Sequence, residues 1–571
     1  MVETPRRAFA LAVVLALVIS FSGVFSHSLW TPDEPTGAVV GLNMVRTGDW
    51  VVPRLGGEPF LEKPPLYWWV QAFAYETFGV SDAVARFPSA LFMALTLLLT
   101  YAVARRLENE RAGLVALVVL GSTLQFNEDM GRVVVDSALT FFVFACWAAF
   151  IVWDRAPAGS KQARGSAVIV AIANGLAFLS KGWVGCGLAV AAPSLFLLLR
   201  DRRRALGPLL RLAPVVVLGL VALGLPWALA LGQRGGIDAV RECLLGNLLG
   251  RFVGTAKLAS YGHRQPPWYY ITDGLVAAVP WIVAVPAAWL AARREGAQRF
   301  LLGAGAVGVV LLSLAASKRT LYLVPLFPGM AIAVASWLTQ QREGGWQAGG
   351  RFDRLAARAL MVFAGIAPFL LAVTALGLAW LPGDAVPGVK WSPLLLTVRR
   401  APVPGVLGLL ALLALAWCVV LLPRLGRAWK LSAITLPVAI IAGPPLALLL
   451  AGQLVLKWSI DPLKNLHDTT EALAAASPDG AVALYRPGTR EEKIAAIVDF
   501  DLDRLLSVAR NEQEAASFFA RHPHGAMLAG AEELGRLPES LRESTRVAYD
   551  ERGRKASPYV VLVPRGLSRA D

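Results

Sequence analysis

Long apolar runs recur along the chain at short intervals, and polar residues collect in the gaps between them. The first run, from about Ala8 to Phe25, follows Arg6 and Arg7. Others fall near 88–104, 112–127, 134–152, 166–180, 183–199, 212–231, 268–291, 300–316, 320–338, 359–381, 403–422 and 431–456. A helix needs about 20 apolar residues to cross ~30 Å of hydrocarbon, so the pattern predicts a polytopic α-helical membrane protein with about thirteen transmembrane helices. No small-x-small cleavage site closes the first run, which therefore reads as an uncleaved first span. Two polar gaps are long, 26–87 and 232–267. After residue 456 the pattern changes. Leu463 to Ala476 has helical spacing, and Ala481 to Tyr485 and Tyr559 to Val563 read as strands. The expected organisation is a membrane domain over 1–457 and a small soluble α/β domain over 458–571.

Composition narrows the class. Of 571 residues, 56% are hydrophobic and 17% charged, against about 25% charged in soluble proteins. A soluble cytoplasmic enzyme, a disordered scaffold and a secreted disulfide domain are excluded. The net charge of +15 first suggests nucleic acid, but the positions of the charges remove that reading. With the N-terminus in the cytoplasm, the inside loops hold Arg105-Arg106, Arg155 to Arg164, Arg200 to Arg204, Arg293-Arg294 with Arg299, Arg342 to Arg358, and Arg424 to Lys430. This is the positive-inside rule obeyed loop by loop. It predicts a membrane protein with a cytoplasmic N-terminus whose two long loops and C-terminal domain lie on the outer face, with membrane lipid and no nucleic acid as partner; the resemblance given below implies that this is the bacterial inner membrane and its periplasmic face. Cys146, Cys186, Cys243 and Cys418 lie mostly in the predicted helices and suit packing better than a disulfide framework.

The outer face concentrates chemistry. The first long loop carries Asp33-Glu34-Pro35, then Gly48-Asp49-Trp50 with Pro53, then Glu62-Lys63-Pro64-Pro65 and Tyr67-Trp68-Trp69. Asp33 ahead of Pro35 also suits a helix N-cap, and the aromatics suit an interfacial belt. Asp136 and Lys181 stand near the outer ends of apolar helices. Ionisable groups are costly there, which marks them as functional residues or as a structural ion pair.

These motifs, with Phe78-Gly79-Val80, Arg86-x-Pro88-Ser89, Arg132-x-x-x-Asp136, Ser180-Lys181-Gly182, Asn247 to Phe252, His263-Arg264 through Tyr270, and Ser317-Lys318 through Tyr322 and Pro325, run in one consistent order through about the first 340 residues. The set resembles the aminoarabinose (4-amino-4-deoxy-L-arabinose) lipid A transferase branch of the protein O-mannosyltransferase-like superfamily. The resemblance implies a C-type glycosyltransferase fold and an inverting transfer of sugar from a polyprenyl (undecaprenyl) phosphate carrier to lipid A or another envelope glycan on the periplasmic face. By matching position, Asp33 resembles the catalytic carboxylate, with Glu34 and Asp136 beside it. Lys63 resembles the donor-phosphate lysine, with Arg264 or Arg251, Tyr322 and Lys181 completing the clamp. No cofactor is required by the resemblance, but it leaves room for a divalent metal ion between Glu62 and His263. The chain departs from the pattern in having Thr36-Gly37 after Asp-Glu-Pro and Leu61 before Glu-Lys-Pro. Both changes remove side chains from the sugar pocket. Two other readings compete: a protein O-mannosyltransferase-like enzyme acting on exported polypeptide, and a transporter or lipid flippase, which predicts internal repeats that the sequence lacks.

Overall fold

The computed structural model describes residues 5–30, 33–246, 264–293, 296–340, 350–380, 449–486, 491–552 and 559–565, with isolated positions between 412 and 447. Most of the expected apolar runs among the described residues are helical. The first helix, α1, spans Pro5–Phe21. The long gap that follows folds into two short helices, α2 (Glu34–Thr47) and α3 (Leu66–Phe78), joined by a hairpin of β1 (Arg54–Leu55) and β2 (Glu58–Pro59). At 14 and 13 residues these helices are only ~20 Å long and cannot cross a bilayer.

Next come α4 (Asp82–Leu107), α5 (Glu110–Gly121), α6 (Leu124–Met130), α7 (Asp136–Arg155), α8 (Lys161–Lys181), α9 (Trp183–Arg200) and α10 (Arg202–Gly246). Ser81 starts α4 by accepting from the Val84 amide at 3.2 Å, and Asn109 and Ser160 do the same for α5 and α8. Seven described helices are long and apolar enough to span: α4, α7, α8, α9, α10, Ala297–Leu314 and Thr320–Thr339. The pair Tyr269–Ala277 and Trp281–Ala291, bent by 106°, is an eighth candidate. The expected run at 112–127 is corrected. It breaks at Ser122 into α5, 12 residues long, and the short α6, because the Ser122 and Thr123 hydroxyls turn back onto the Val118 and Val119 carbonyls. The expected runs at 403–422 and 431–456 lie mostly outside the described residues.

Helices α8 and α10 approach through small residues. A methyl group on Gly219 would meet the Ala171 carbonyl at 2.7 Å, and one on Gly175 the Gly219 carbonyl at 3.0 Å. Glycine at these positions lets the backbones touch, as close packing in lipid requires.

The C-terminal residues form a five-stranded mixed sheet in the order β4-β3-β5-β7-β6, where β3 is Val482–Tyr485, β4 Leu506–Ala509, β5 Ala526–Gly530, β6 Thr545–Asp550 and β7 Tyr559–Pro564. Alternation sorts its faces. Val482, Leu484, Val561 and Val563 join one core, which continues into Val39, Tyr67 and Trp68 of α2 and α3. Ala483, Tyr485, Val560 and Leu562 join the other, with Phe518 and Leu541. The expected strands at 481–485 and 559–563 are present. The single expected helix at 463–476 is two, Lys457–Lys464 and His467–Ala476, separated at Asn465-Leu466.

Candidate active site

The start of α2 is built around a buried ion pair. Glu34 and Arg86 are 1% and 0% exposed. Glu34 accepts from Arg86 Nε at 2.8 Å and Nη2 at 3.0 Å. Arg86 also donates to the Ser28 carbonyl at 2.6 Å and the His27 carbonyl at 2.7 Å, and Glu34 accepts from the Trp30 and Val133 amides. Three chain segments are thus fastened at one carboxylate. The two adjacent acids of the sequence therefore face different ways: Glu34 is sealed in this core, and Asp33 points to the surface.

Asp33 sits at the N-cap position of α2, with Pro35 in the first turn, yet its side chain caps nothing. It accepts instead from Arg319 Nη2 at 2.7 Å, with both side chains about one-third exposed (36% and 33%). Burial pushes the Asp33 carboxyl up, but Arg319, then Arg132 and Lys63, pull it below the ordinary aspartate range. Asp33 is therefore an anion, paired with Arg319 and further stabilised by the charges of Arg132 and Lys63. Arg132 is brought there by the Val133 amide, which donates to Glu34 at 3.3 Å.

Arg319 connects Asp33 to the other predicted residues. It stands at the entry of Thr320–Thr339, and its backbone carbonyl accepts from Tyr270 Oη at 3.3 Å. Besides Asp33, the Asp136 carboxylate acts on it. Asp136, the first residue of α7, pairs with Lys181, the last of α8, at 2.5 Å, the side chains 4% and 5% exposed. The Lys181 ammonium lies 4.0 Å from the centre of the Tyr322 ring. Arg264 pairs across a β-bridge with Ser317, two residues from Arg319, and is exposed.

Asp33 and the Asp136–Lys181–Tyr322 cluster are thus linked by one residue that the sequence reading passed over, Arg319, while Arg264 lies on the backbone bridged to Ser317 and Lys63 acts on Asp33. Arg132 was passed over as well. Both stand inside quoted motifs, Ser317 to Pro325 and Arg132-x-x-x-Asp136, but no spacing rule picks them from the many other arginines. Glu62 and Lys63 are half-buried. Arg251 and His263 lie outside the described residues. Among the described residues no three His, Cys, Asp or Glu side chains gather as a metal site would need.

Comparison with known proteins agrees with the resemblance read from the motifs. The family described as dolichyl-phosphate-mannose-protein mannosyltransferase matches residues 62–227. The chain is related to the undecaprenyl phosphate-alpha-4-amino-4-deoxy-L-arabinose arabinosyl transferase of Edwardsiella ictaluri, 28% identical over 337 residues, covering 58% of this chain and 59% of the relative. The enzyme of the same name from Yersinia enterocolitica is 31% identical over 339 residues, covering 58% and 59%. That of Aeromonas hydrophila is 27% identical over 430 residues, covering 74% and 73%. The match therefore spans about three-fifths of the first relatives' length (59%). In three dimensions the chain superposes on ArnT from Cupriavidus metallidurans bound to undecaprenyl phosphate, with a TM-score of 0.72, 20% identity and 98% and 99% of the two chains covered. The apo state of that protein gives 0.71. The fold is accordingly the C-type glycosyltransferase fold that the motifs imply.

Proposed function

We propose that the protein is an integral membrane glycosyltransferase that moves a sugar from an undecaprenyl phosphate carrier to lipid A or another envelope glycan on the periplasmic face of the bacterial inner membrane. One observation carries this reading above the others: the Asp33 carboxylate, kept ionised by Arg319, Arg132 and Lys63 at the mouth of an apolar helix bundle. A polyprenyl carrier needs lipid-facing helices for its tail and cations at the interface for its phosphate. The relatives' names supply the donor class, undecaprenyl phosphate-α-4-amino-4-deoxy-L-arabinose.

In this reading Asp33 accepts the proton of the attacking acceptor hydroxyl. The acceptor oxygen bonds to the anomeric carbon as the bond from that carbon to the phosphate oxygen breaks, and the electron pair leaves with undecaprenyl phosphate. A single displacement inverts the anomeric centre. Lys63, Arg264 and Tyr322 stabilise the departing phosphate. Asp136 positions Lys181 against Tyr322, and Glu34 holds the start of α2. Arg251 would extend the clamp from the second long loop. Of the two expected metal ligands only Glu62 is described, and no step is routed through a metal. The topology that fits is about thirteen spans, a cytoplasmic N-terminus, a membrane domain over 1–457 and a periplasmic α/β domain over 458–571.

Release of undecaprenyl phosphate from the lipid-linked sugar by purified protein with lipid A tests the reading. Asp33→Asn should lower turnover by ~10²–10⁴-fold with donor affinity retained, and Lys63→Ala should weaken donor binding. Full activity in Asp33→Asn removes Asp33 from its role. The match to the mannosyltransferase family over 62–227 supports a second acceptor class, and modified exported protein beside unmodified lipid A would move the reading there.

A further inference from the structure

The helices that carry the site also reach the opposite side of the membrane part. Helix α4 holds Arg86 against Glu34 near its start and ends at Arg106-Leu107. Helix α7 runs from Asp136 to Arg155, 20 residues or ~30 Å, and α8 returns from Lys161 to Lys181. Around their far ends lie two cavities that share Leu107 and Arg155. The first, about 430 Å³, is lined by Leu99 and Val103 of α4, Ala145 and Ala148 of α7 and Ile169 of α8, with Arg106, Arg155 and Gln162 at its end. Alanines between bulkier side chains leave a groove here, and Ile169, 54% exposed, turns it to the bilayer. The second, about 740 Å³, is polar and is lined by Glu108, Asn109, Arg293 and Gln340 beside Arg155.

The acids near Arg106 and Arg155 are engaged elsewhere. Glu110 pairs with Arg105 at 2.5 Å and accepts from Tyr101 at 2.6 Å. Asp154 pairs with Arg200 at 3.0 Å. One oxygen of Glu108 accepts from Gln298 at 2.6 Å, Ser336 at 2.8 Å and Gln340 at 2.9 Å. Among the described residues no carboxylate lies within ion-pair distance of Arg106 or Arg155, and both are exposed. The apolar part also has a defined depth. The stretch of α7 that lines it, from Ala145 to Arg155, is ~15 Å long, half of the ~30 Å hydrocarbon core. The groove is one leaflet deep.

We propose that it binds an anionic glycerophospholipid of the leaflet opposite Asp33, with an acyl chain in the apolar part and the phosphate on Arg106 and Arg155. In the proposed topology this is the cytoplasmic leaflet. Charge selects the ligand. A guanidinium matches a phosphate with paired hydrogen bonds, and basic pockets between spanning helices on that side suit anionic headgroups. The polar cavity beside Arg155 gives the headgroup hydroxyls room. Depth and position select against the polyprenyl carrier, whose phosphate belongs at the Asp33 end, ~30 Å away along α7. A bound lipid ties α4 to α7, whose other ends hold Arg86 and Asp136, so occupancy stabilises the frame of the site by mass action. The inference goes beyond the transferase reading and stands without it.

The test titrates delipidated full-length protein in detergent with dioleoyl phosphatidylglycerol or dioleoyl phosphatidylcholine. Native mass spectrometry counts bound lipid, and the melting temperature is followed in parallel. Wild type should prefer phosphatidylglycerol and melt higher with it. Arg106→Gln combined with Arg155→Gln should weaken phosphatidylglycerol binding by ~10-fold or more, the scale of lost charged hydrogen bonds, and leave phosphatidylcholine binding unchanged. Ala148→Phe keeps both arginines but fills the groove, and should lose the same lipid. Undecaprenyl phosphate affinity should match wild type in both proteins. Unchanged phosphatidylglycerol binding in the arginine variant overturns the site, because charge then does not recognise the lipid. Unchanged binding in Ala148→Phe overturns it as well, because the attraction is then to surface charge alone. Displacement of phosphatidylglycerol by undecaprenyl phosphate would give the groove to the carrier and sink the proposal.

Discussion

At Asp33 a carboxylate loses much of its hydration, and what keeps it ionised is the Arg319 guanidinium 2.7 Å away. The group is an anion, ready to accept a proton, at any pH above its depressed value. The acid limb of kcat/KM that Asp33 sets should therefore lie below the ordinary aspartate range. In Arg319→Gln the strongest opposing influence is gone and burial dominates, so the limb should move to higher pH. A pH profile of the variant with an unmoved limb would contradict this coupling. Glu34 has the opposite character. It is 1% exposed and its partner 0%, and removing one member of such a pair leaves a buried charge alone. Glu34→Ala should cost about 3–5 kcal/mol, read as a lowered melting temperature in detergent, with part recovered when Arg86→Met is added. The sequence alone presents Asp33 and Glu34 as equivalent neighbours. Which of them meets solvent depends on Arg86 and Arg319, 52 and 286 residues away.

Two elements join the C-terminal unit to the membrane part through polar contacts as well as the shared apolar core. Arg46 of α2 meets Asp499 at 2.8 Å and Asp503 at 3.1 Å. His467 bridges Asp82, the first residue of α4, and Asp501, each at 3.0 Å. Those two carboxylates raise the imidazole to about 10, so it is a cation in the docked state at neutral pH. A raised value gives stabilisation that is fully present below the unfolded histidine value and is lost as pH rises through about 10. Hydrogen exchange or limited proteolysis at the 467–502 segment should accordingly increase on alkalinisation over that window. His467→Gln should abolish the dependence, and an equally steep rise in that variant would assign it to other groups. The apolar periodicity predicts the long helices α4, α7 and α8 because each needs only its own sequence to satisfy its backbone in lipid. It misses α2 and α3, whose modest length and mixed polarity gain helical stability only from the packed surface between them and the sheet.

For the whole molecule, the described part has at least seven spanning candidates and one α/β unit packed on α2 and α3. The proposed topology, with the basic loops inside, puts that unit in the periplasm. A cysteine introduced at Ser540, in the C-terminal unit, should react with a membrane-impermeant maleimide in intact spheroplasts. A cysteine at Arg155, at the far end of α7 from Asp136, should react only after permeabilisation, and the reverse pattern would invert the topology. The apolar runs and the loop charges were enough to predict a membrane-embedded helical protein, because bilayer thickness and charge asymmetry act on short stretches of chain. The ordered motifs were enough for the fold class. Only the tertiary structure separated Glu34 from Asp33, brought Arg319 and Arg132 to the carboxylate, and set Arg106 and Arg155 at one groove. Those pairings join residues far apart along the chain, and the charge a buried carboxylate keeps is decided by which cations the fold places beside it.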